Sequence, residues 1–151
     1  MSKLSSILKS DAVLPSSKEV VLNLLCTSNY IAEKYAVFFK QFEITGPQYN
    51  VLRILRGQKG NPANLSTIQG RMVHKNSNAG RLIDKLLLKD LVERNTCKEN
   101  RRKIEVLITQ KGLDLLSSID PELDELESEN LKGFTKEEMT TLSKLLEKLR
   151  E

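Results

Sequence analysis

The stretch that decides the fold covers residues 76–109, NSNAGRLIDKLLLKDLVERNTCKENRRKIEVLIT. Its first part repeats apolar residues at helical spacing. Ala79, Leu82, Ile83, Leu86 and Leu87 fall on one face, which predicts a helix from about residue 76 to 89. The period then changes. Val92-Glu93-Arg94-Asn95-Thr96 alternates, and so does Lys103-Ile104-Glu105-Val106-Leu107-Ile108-Thr109. Both are rich in β-branched residues and predict strands. The polar, basic segment 97–102 joins them as a hairpin tip.

Upstream, a second short helix is predicted from near Asn64 or Ser66 to about residue 72. Residues 73–75 clearly separate the pair, which is the length of a helix-turn-helix connection. Residues 57–62 form a turn-rich break. Before it, Thr45-Gly46-Pro47-Gln48 opens another helix. Thr45 caps it, Pro47 suits its first turn, and Gln48 completes a capping box. A long helix is predicted over 18–41, with an apolar stripe through Val21, Leu24, Leu25, Ile31, Tyr35, Phe38 and Phe39. Residues 1–17 read as a loose arm.

Downstream of the hairpin the helical period returns from Thr109. Leu116, Ile119, Leu123 and Leu126 keep the spacing, and Pro121 is expected to bend or interrupt the helix. Gly133 ends it. Thr135-Lys136-Glu137-Glu138 is another capping box, followed by Met139, Leu142, Leu145 and Leu149. The expected fold is mainly α with a small β-hairpin wing.

A chain of 151 residues suits one domain, or one domain with a helical extension, and can bury a core without disulfides or metals. With 39% hydrophobic and 29% charged residues, the balance is that of a folded globular chain. No apolar run is long enough to span a membrane, and the first ten residues lack the apolar stretch of a signal peptide. A cytoplasmic protein without membrane partners is expected. Cys26 and Cys97 lie too far apart in sequence to suggest a disulfide framework or a metal cluster, so neither metal nor cofactor is expected. Cys97, at the wing, is expected to be the more exposed. No glycine-rich phosphate loop, paired-carboxylate motif or nucleophile elbow points to an enzyme. His74, the only histidine, lacks a nearby carboxylate or cysteine motif. It is expected to be exposed in a turn, with a phosphate contact as its functional alternative.

The charge is unevenly spread. Residues 71–111 carry 11 Lys/Arg against 5 Asp/Glu, whereas residues 112–151 carry 5 against 11. A basic middle beside an acidic tail fits a middle that meets a polyanion, and it equally fits chance clustering on a solvated surface. Taken alone, the predicted 76–89 helix fits a solvated polar face better than a DNA-reading one, and only its pairing with the basic hairpin favours the first reading. With its apolar face inward, Ser77, Arg81, Asp84 and Lys85 face outward, and Asn76 and Asn78 sit at its start. Asn can pair bidentately with adenine and Arg with guanine, although Asn and Ser are also ordinary caps. The hairpin tip adds Lys98, Arg101, Arg102 and Lys103 within six residues. A basic tip beside a major-groove helix can reach the adjacent minor groove, where a planar guanidinium is favoured.

In this order the motifs resemble the MarR family of regulators over nearly the whole chain. The resemblance rests on Ile44-Thr45-Gly46-Pro47-Gln48-Tyr49 with Val51-Leu52, and on Arg81-Leu82-Ile83-Asp84-Lys85-Leu86. It continues through Leu91-Val92-Glu93-Arg94, Asn100-Arg101-Arg102 and Leu107-Ile108-Thr109-Gln110-Lys111-Gly112. It implies a winged helix-turn-helix with N- and C-terminal dimerisation helices. It also implies a homodimer that binds pseudo-palindromic double-stranded DNA and represses nearby genes. Arg101 matches the wing-tip arginine, and residues 76–81 match the start of the recognition helix. Asn100 stands where the family has an aspartate that helps order the wing, and Asp90 replaces a common glycine. Gly80 lies inside the recognition helix. Some relatives sense peroxide through a cysteine near the start of the first long helix. Cys26 lies about a turn nearer to Pro47 than that pattern places it, and is expected to be a buried small apolar residue.

The resulting organisation is an arm at 1–17 and one regulator domain at 18–151. Its DNA-binding lobe covers about 45–110, and its dimerisation helices about 18–42 and 112–151. Ser77, Asn78 and Arg81 are expected to read bases, with Asn76 beside them, and Arg101 to enter the minor groove. Lys75, Lys85, Arg102 and Lys103 are expected to hold phosphates, and Ser66 joins the DNA-contacting set. The resemblance adds a small-molecule effector pocket between the lobe and the dimer helices, with no motif to place its residues. The competing reading is a winged-helix protein-interaction module with no specific DNA target.

Overall fold

Side-chain oxygens fix where most of the helices begin. Asn64 accepts from the Thr67 amide at 2.8 Å, Asn78 from Arg81 at 3.1 Å, and Thr109 from Gly112 at 3.1 Å. Both expected capping boxes form. Thr45 and Gln48 exchange bonds of 2.9 and 3.3 Å, and Thr135 and Glu138 bonds of 2.8 and 3.2 Å. Each cap satisfies amides that the first helical turn leaves without partners.

The structure is a computed structural model and describes residues 3–151. Its elements are α1 (Lys3–Leu8), α2 (Ser16–Lys40), α3 (Gly46–Arg56), β1 (Ala63–Asn64), α4 (Leu65–Arg71) and α5 (Ala79–Leu88). They continue with β2 (Val92–Thr96), β3 (Ile104–Ile108), α6 (Gln110–Asn130) and α7 (Lys136–Lys148). No helix among the described residues is long and apolar enough to cross a membrane. The chain divides into two compact units, one ending at Tyr49 and the other starting at Asn50.

In the first unit, the arm is not wholly loose. Residues 3–8 are helical and Leu4 is buried, while residues 1 and 2 of the arm lie outside the described residues. Aromatic packing organises the end of α2. Phe39 stacks on Tyr49 with ring centroids 4.8 Å apart, and meets Phe38 edge-on at 5.1 Å and Tyr35 at 6.0 Å. Phe38 and Phe39 are buried, so the centre of this aromatic cluster belongs to the core of the unit. Tyr30 lies outside it and is exposed. Cys26 is half-buried rather than fully buried. Its own helix leaves Val21 and Leu25 exposed on neighbouring turns. The chain leaves α2 through Glu43, whose φ of 56° puts it in the left-handed region.

The second unit has a three-stranded antiparallel sheet in the order β1-β3-β2. In the hairpin Val92 pairs with Ile108 and Thr96 with Ile104. Both hairpin strands fall where alternation placed them. β1 was not expected; it adds to the far side of β3 through Ala63 opposite Val106 and Asn64 opposite Glu105. Val51, Leu52, Leu55, Ile68, Met72, Ile83, Leu86, Val106, Leu116 and Ile119 are buried in this unit. Arg56 and Asp120 join α3 to α6 through a two-bond ion pair of 2.6 and 3.3 Å. Pro121 does not interrupt α6, which runs through it as one helix. A proline there removes one internal hydrogen bond, which the packing of Leu116, Ile119 and Leu123 on either side offsets. Gly112, in the first turn of α6, has a contact reason for being glycine. A Cβ there would stand 2.4 Å from the Leu91 carbonyl oxygen and 2.7 Å from Cγ1 of Ile108.

Candidate nucleic-acid interface

The second unit holds every sequence-predicted contact residue, and all of them except half-buried Ser77 are exposed. The start of α5 differs from expectation. The helix begins at Ala79, not near residue 76, and the connection to α4 is the seven residues 72–78. Asn78 is the N-cap, so Asn76 and Ser77 belong to the turn. The physical reason is competition: an Asn side chain that bonds nearby backbone amides favours a cap over a helix interior. The carboxamide oxygen of Asn78 is therefore already engaged. From Ala79 onward the amphipathic pattern holds. Ala79, Ile83 and Leu86 are buried, whereas Arg81, Asp84 and Lys85 are exposed. Arg81 and Lys85, four residues apart, share the outer face.

Two amide side chains that sequence analysis passed over organise the turn. Gln69 of α4 uses both ends of its amide. Its Nε2 donates to the Lys75 carbonyl at 3.0 Å, and its Oε1 accepts from the Ala79 amide at 3.1 Å. Asn50 of α3 is buried, and its Oδ1 accepts from the Val73 amide at 2.8 Å. Asn50 could have been singled out, because it sits four residues from Ile54 on an apolar stripe. Gln69 carries no such signal. Lys75 folds back so that its ammonium donates to the Gly70 carbonyl near the end of α4, where a cation is favoured. Ser66 donates to Oδ1 of Asn64 at 2.8 Å. His74 is exposed in the turn, and its carbonyl accepts from the Ser77 amide at 3.0 Å.

The hairpin tip is closed by its own bonds. The Cys97 amide donates to the Lys103 carbonyl at 3.0 Å, and the Lys103 amide to the Asn100 carbonyl at 2.9 Å. Oδ1 of Asn100 accepts from the Arg102 amide at 3.1 Å. That bond needs only an acceptor oxygen, so asparagine can order the tip as an aspartate would. Arg101, Arg102 and Lys103 are exposed around it, and none joins an ion pair among the described residues. Cys97 is half-buried, as Cys26 is, rather than the more exposed of the two. The hairpin is fastened to α5 by Arg94 and Asp84, 3.4 Å apart.

Two short packed helices, a connecting turn and a basic hairpin closed by a third strand define a winged helix-turn-helix. The MarR family model matches residues 44–104. A MarR transcription factor from Planctomyces limnophilus is 30% identical, over 90% of this chain and 98% of its own, with a TM-score of 0.70. A MarR-like transcription regulator from Bacillus cereus ATCC 10987 is 23% identical over 89% and 95%, with a TM-score of 0.79. The PcaV transcriptional regulator from Streptomyces coelicolor, in complex with its natural ligand, is 15% identical over 92% and 96%, with a TM-score of 0.74. The chain belongs to the MarR family, whose members are transcription regulators.

Proposed function

We propose that the protein is a sequence-specific double-stranded DNA-binding regulator that represses from a pseudo-palindromic operator as a homodimer. The observation that carries this is the second unit itself. It presents the outer face of α5, with Arg81 and Lys85, and a hairpin tip with Arg101, Arg102 and Lys103, all exposed. An α-helix fits the major groove, and a basic tip beside it fits the adjacent minor groove. Ser77, Asn78 and Arg81 take the base edges, and Asn76 lies next to them in the turn. Asn78 does so through its amino group while its oxygen caps α5. Arg101 enters the minor groove. Lys75, Lys85, Arg102 and Lys103 hold phosphates, and Ser66 at the start of α4 lies near the backbone. Lys75 must release Gly70 to do so.

Two recognition helices about one DNA turn apart, ~34 Å, read a palindrome that one helix cannot. The homodimer reading is supported by apolar faces left uncovered within the chain. α7 has no buried residue, and Val20, Val21, Leu25 and Ile31 of α2 are exposed. Family membership supports regulation of transcription. The natural ligand of PcaV supports release by a small-molecule effector. Selection from a random duplex library at moderate salt tests the proposal. A two-fold symmetric motif with half-sites about one turn apart is expected. Dimers that enrich no motif would overturn it and leave nonspecific DNA binding or the protein-interaction module.

A further inference from the structure

We infer that Asn50 and Gln69 are positioning residues for DNA reading, which rests on the function proposed above. Together they fasten the recognition turn at three backbone points. Asn50 holds the amide of Val73 near its start, and Gln69 holds the carbonyl of Lys75 in its middle. Gln69 also holds the amide of Ala79, the first residue of α5. The stretch they span, 74–78, includes Lys75, Asn76, Ser77 and Asn78, the group set to meet base edges and phosphates. The turn has few bonds of its own besides the Ser77 amide to the His74 carbonyl. Its course is therefore set by two side chains outside it.

The burial of Asn50 points the same way. The residue is 7% exposed, and its Nδ2 has no hydrogen-bond partner among the described residues. A buried amide with one half unsatisfied is a poor choice for core packing alone, and a leucine would fill the site without the unpaired Nδ2. What a leucine lacks is the acceptor for Val73. The carboxamide is thus explained by what it holds, not by what it adds to the core. Asn50 is too buried to touch DNA, so its effect must pass through the turn.

Base contacts need side chains placed to within fractions of an ångström, whereas phosphate attraction is long-ranged and tolerant. Loosening the turn should therefore lower discrimination and spare nonspecific binding. The test compares wild type, Asn50→Leu, Gln69→Met and Gln69→Glu on the selected operator and on a scrambled duplex, across a salt series. Melting temperatures are measured alongside. Asn50→Leu and Gln69→Met are expected to lower the operator-to-scrambled affinity ratio about tenfold, well within the span that separates specific from nonspecific binding. Scrambled-duplex affinity, salt slope and melting temperature should stay near wild type. Gln69→Glu keeps an acceptor for the Ala79 amide and should fall between. An unchanged ratio in folded variants would overturn the inference. So would operator and scrambled affinities that fall together with the melting temperature. If Asn50→Leu does not fold, the Gln69 variants decide, since Gln69 is only half-buried. A wild type that prefers no duplex would bring down the function as well. A wild type that discriminates, with variants that do so equally, would bring down the positioning role alone.

Discussion

Asp90 has a φ of 56°, and the bonds around it show why. Its amide donates to the Leu87 carbonyl at 3.1 Å, and the Leu91 amide reaches back to Leu86 at 3.1 Å. This is a Schellman ending to α5, with Asp90 at the left-handed position where glycine is favoured. Its carbonyl also accepts from the Thr109 hydroxyl at 2.7 Å, a backbone contact that any residue keeps. Asp90→Gly should therefore stabilise the protein by about 1 kcal/mol. Urea unfolding should show a higher midpoint at unchanged slope, and a lower midpoint would mean that the carboxylate contributes something else. Gly80→Ala asks a different question. A Cβ there meets only Oδ1 of Asn78 at 3.4 Å and Cδ2 of Leu65 at 4.0 Å, so helix propensity should raise stability by up to ~1 kcal/mol. A fall in operator affinity despite the gain would show that the DNA backbone approaches Gly80 closely. Equal affinity would remove that role. Asp90 and Gly80 were visible in the sequence as departures from a pattern. Gly112 was visible only as a motif letter, because its cause lies in Leu91 and Ile108, which the fold brings to it. The left-handed Glu43 had no local signal at all, since glutamate does not favour that conformation.

The hairpin strands and the long helices were legible because each repeats its period several times. Two residues cannot show alternation, so β1 was missed, and its partner Val106 lies far along the chain. The recognition turn is longer than the sequence pattern implies, for a related reason. Asn76, Ser77 and Asn78 are all good helix-start residues, and the choice of Asn78 depends on Gln69 holding the next amide. The charged tip of the wing was legible from composition, and its role can be isolated. Arg101→Ala removes one exposed guanidinium without disturbing the Asn100 bonds that close the tip. Operator affinity should fall, and the slope of log affinity against log salt should become shallower by about one contact. Unchanged affinity and slope in filter binding would take the wing out of the interface. The Arg94–Asp84 pair behind it has both side chains well exposed, so its loss should cost little stability, about 0.2–1 kcal/mol.

Helix α7 is amphipathic, yet its apolar side is open to solvent: Leu145 is 59% exposed, and Leu149, which caps its end, 60%. Leu142 and Met139 continue the stripe toward Thr135. Contiguous exposed apolar surface of this kind marks an interaction site or an aggregation hazard. A second copy of the chain is the occupant proposed here, because a palindromic operator requires two-fold symmetry and a two-fold contact uses the same face twice. The acidic balance of residues 112–151 suits a segment kept away from phosphates, which leaves the basic 71–111 to meet them. Replacing Leu145 and Leu149 together by Glu introduces like charges on that face. Because neither residue is buried, the chain itself should still fold. Sedimentation should show a shift from dimer to monomer at micromolar concentration. The melting temperature should lose its dependence on protein concentration, since association no longer stabilises the folded state. Affinity for a full operator should drop toward that for a half-site, because the second recognition helix no longer arrives with the first. If the double variant remains a dimer with full operator affinity, the apolar face of α7 is not the contact. The exposed stripe of α2, with Val21 and Leu25, would then be the remaining surface on which the symmetry could be built.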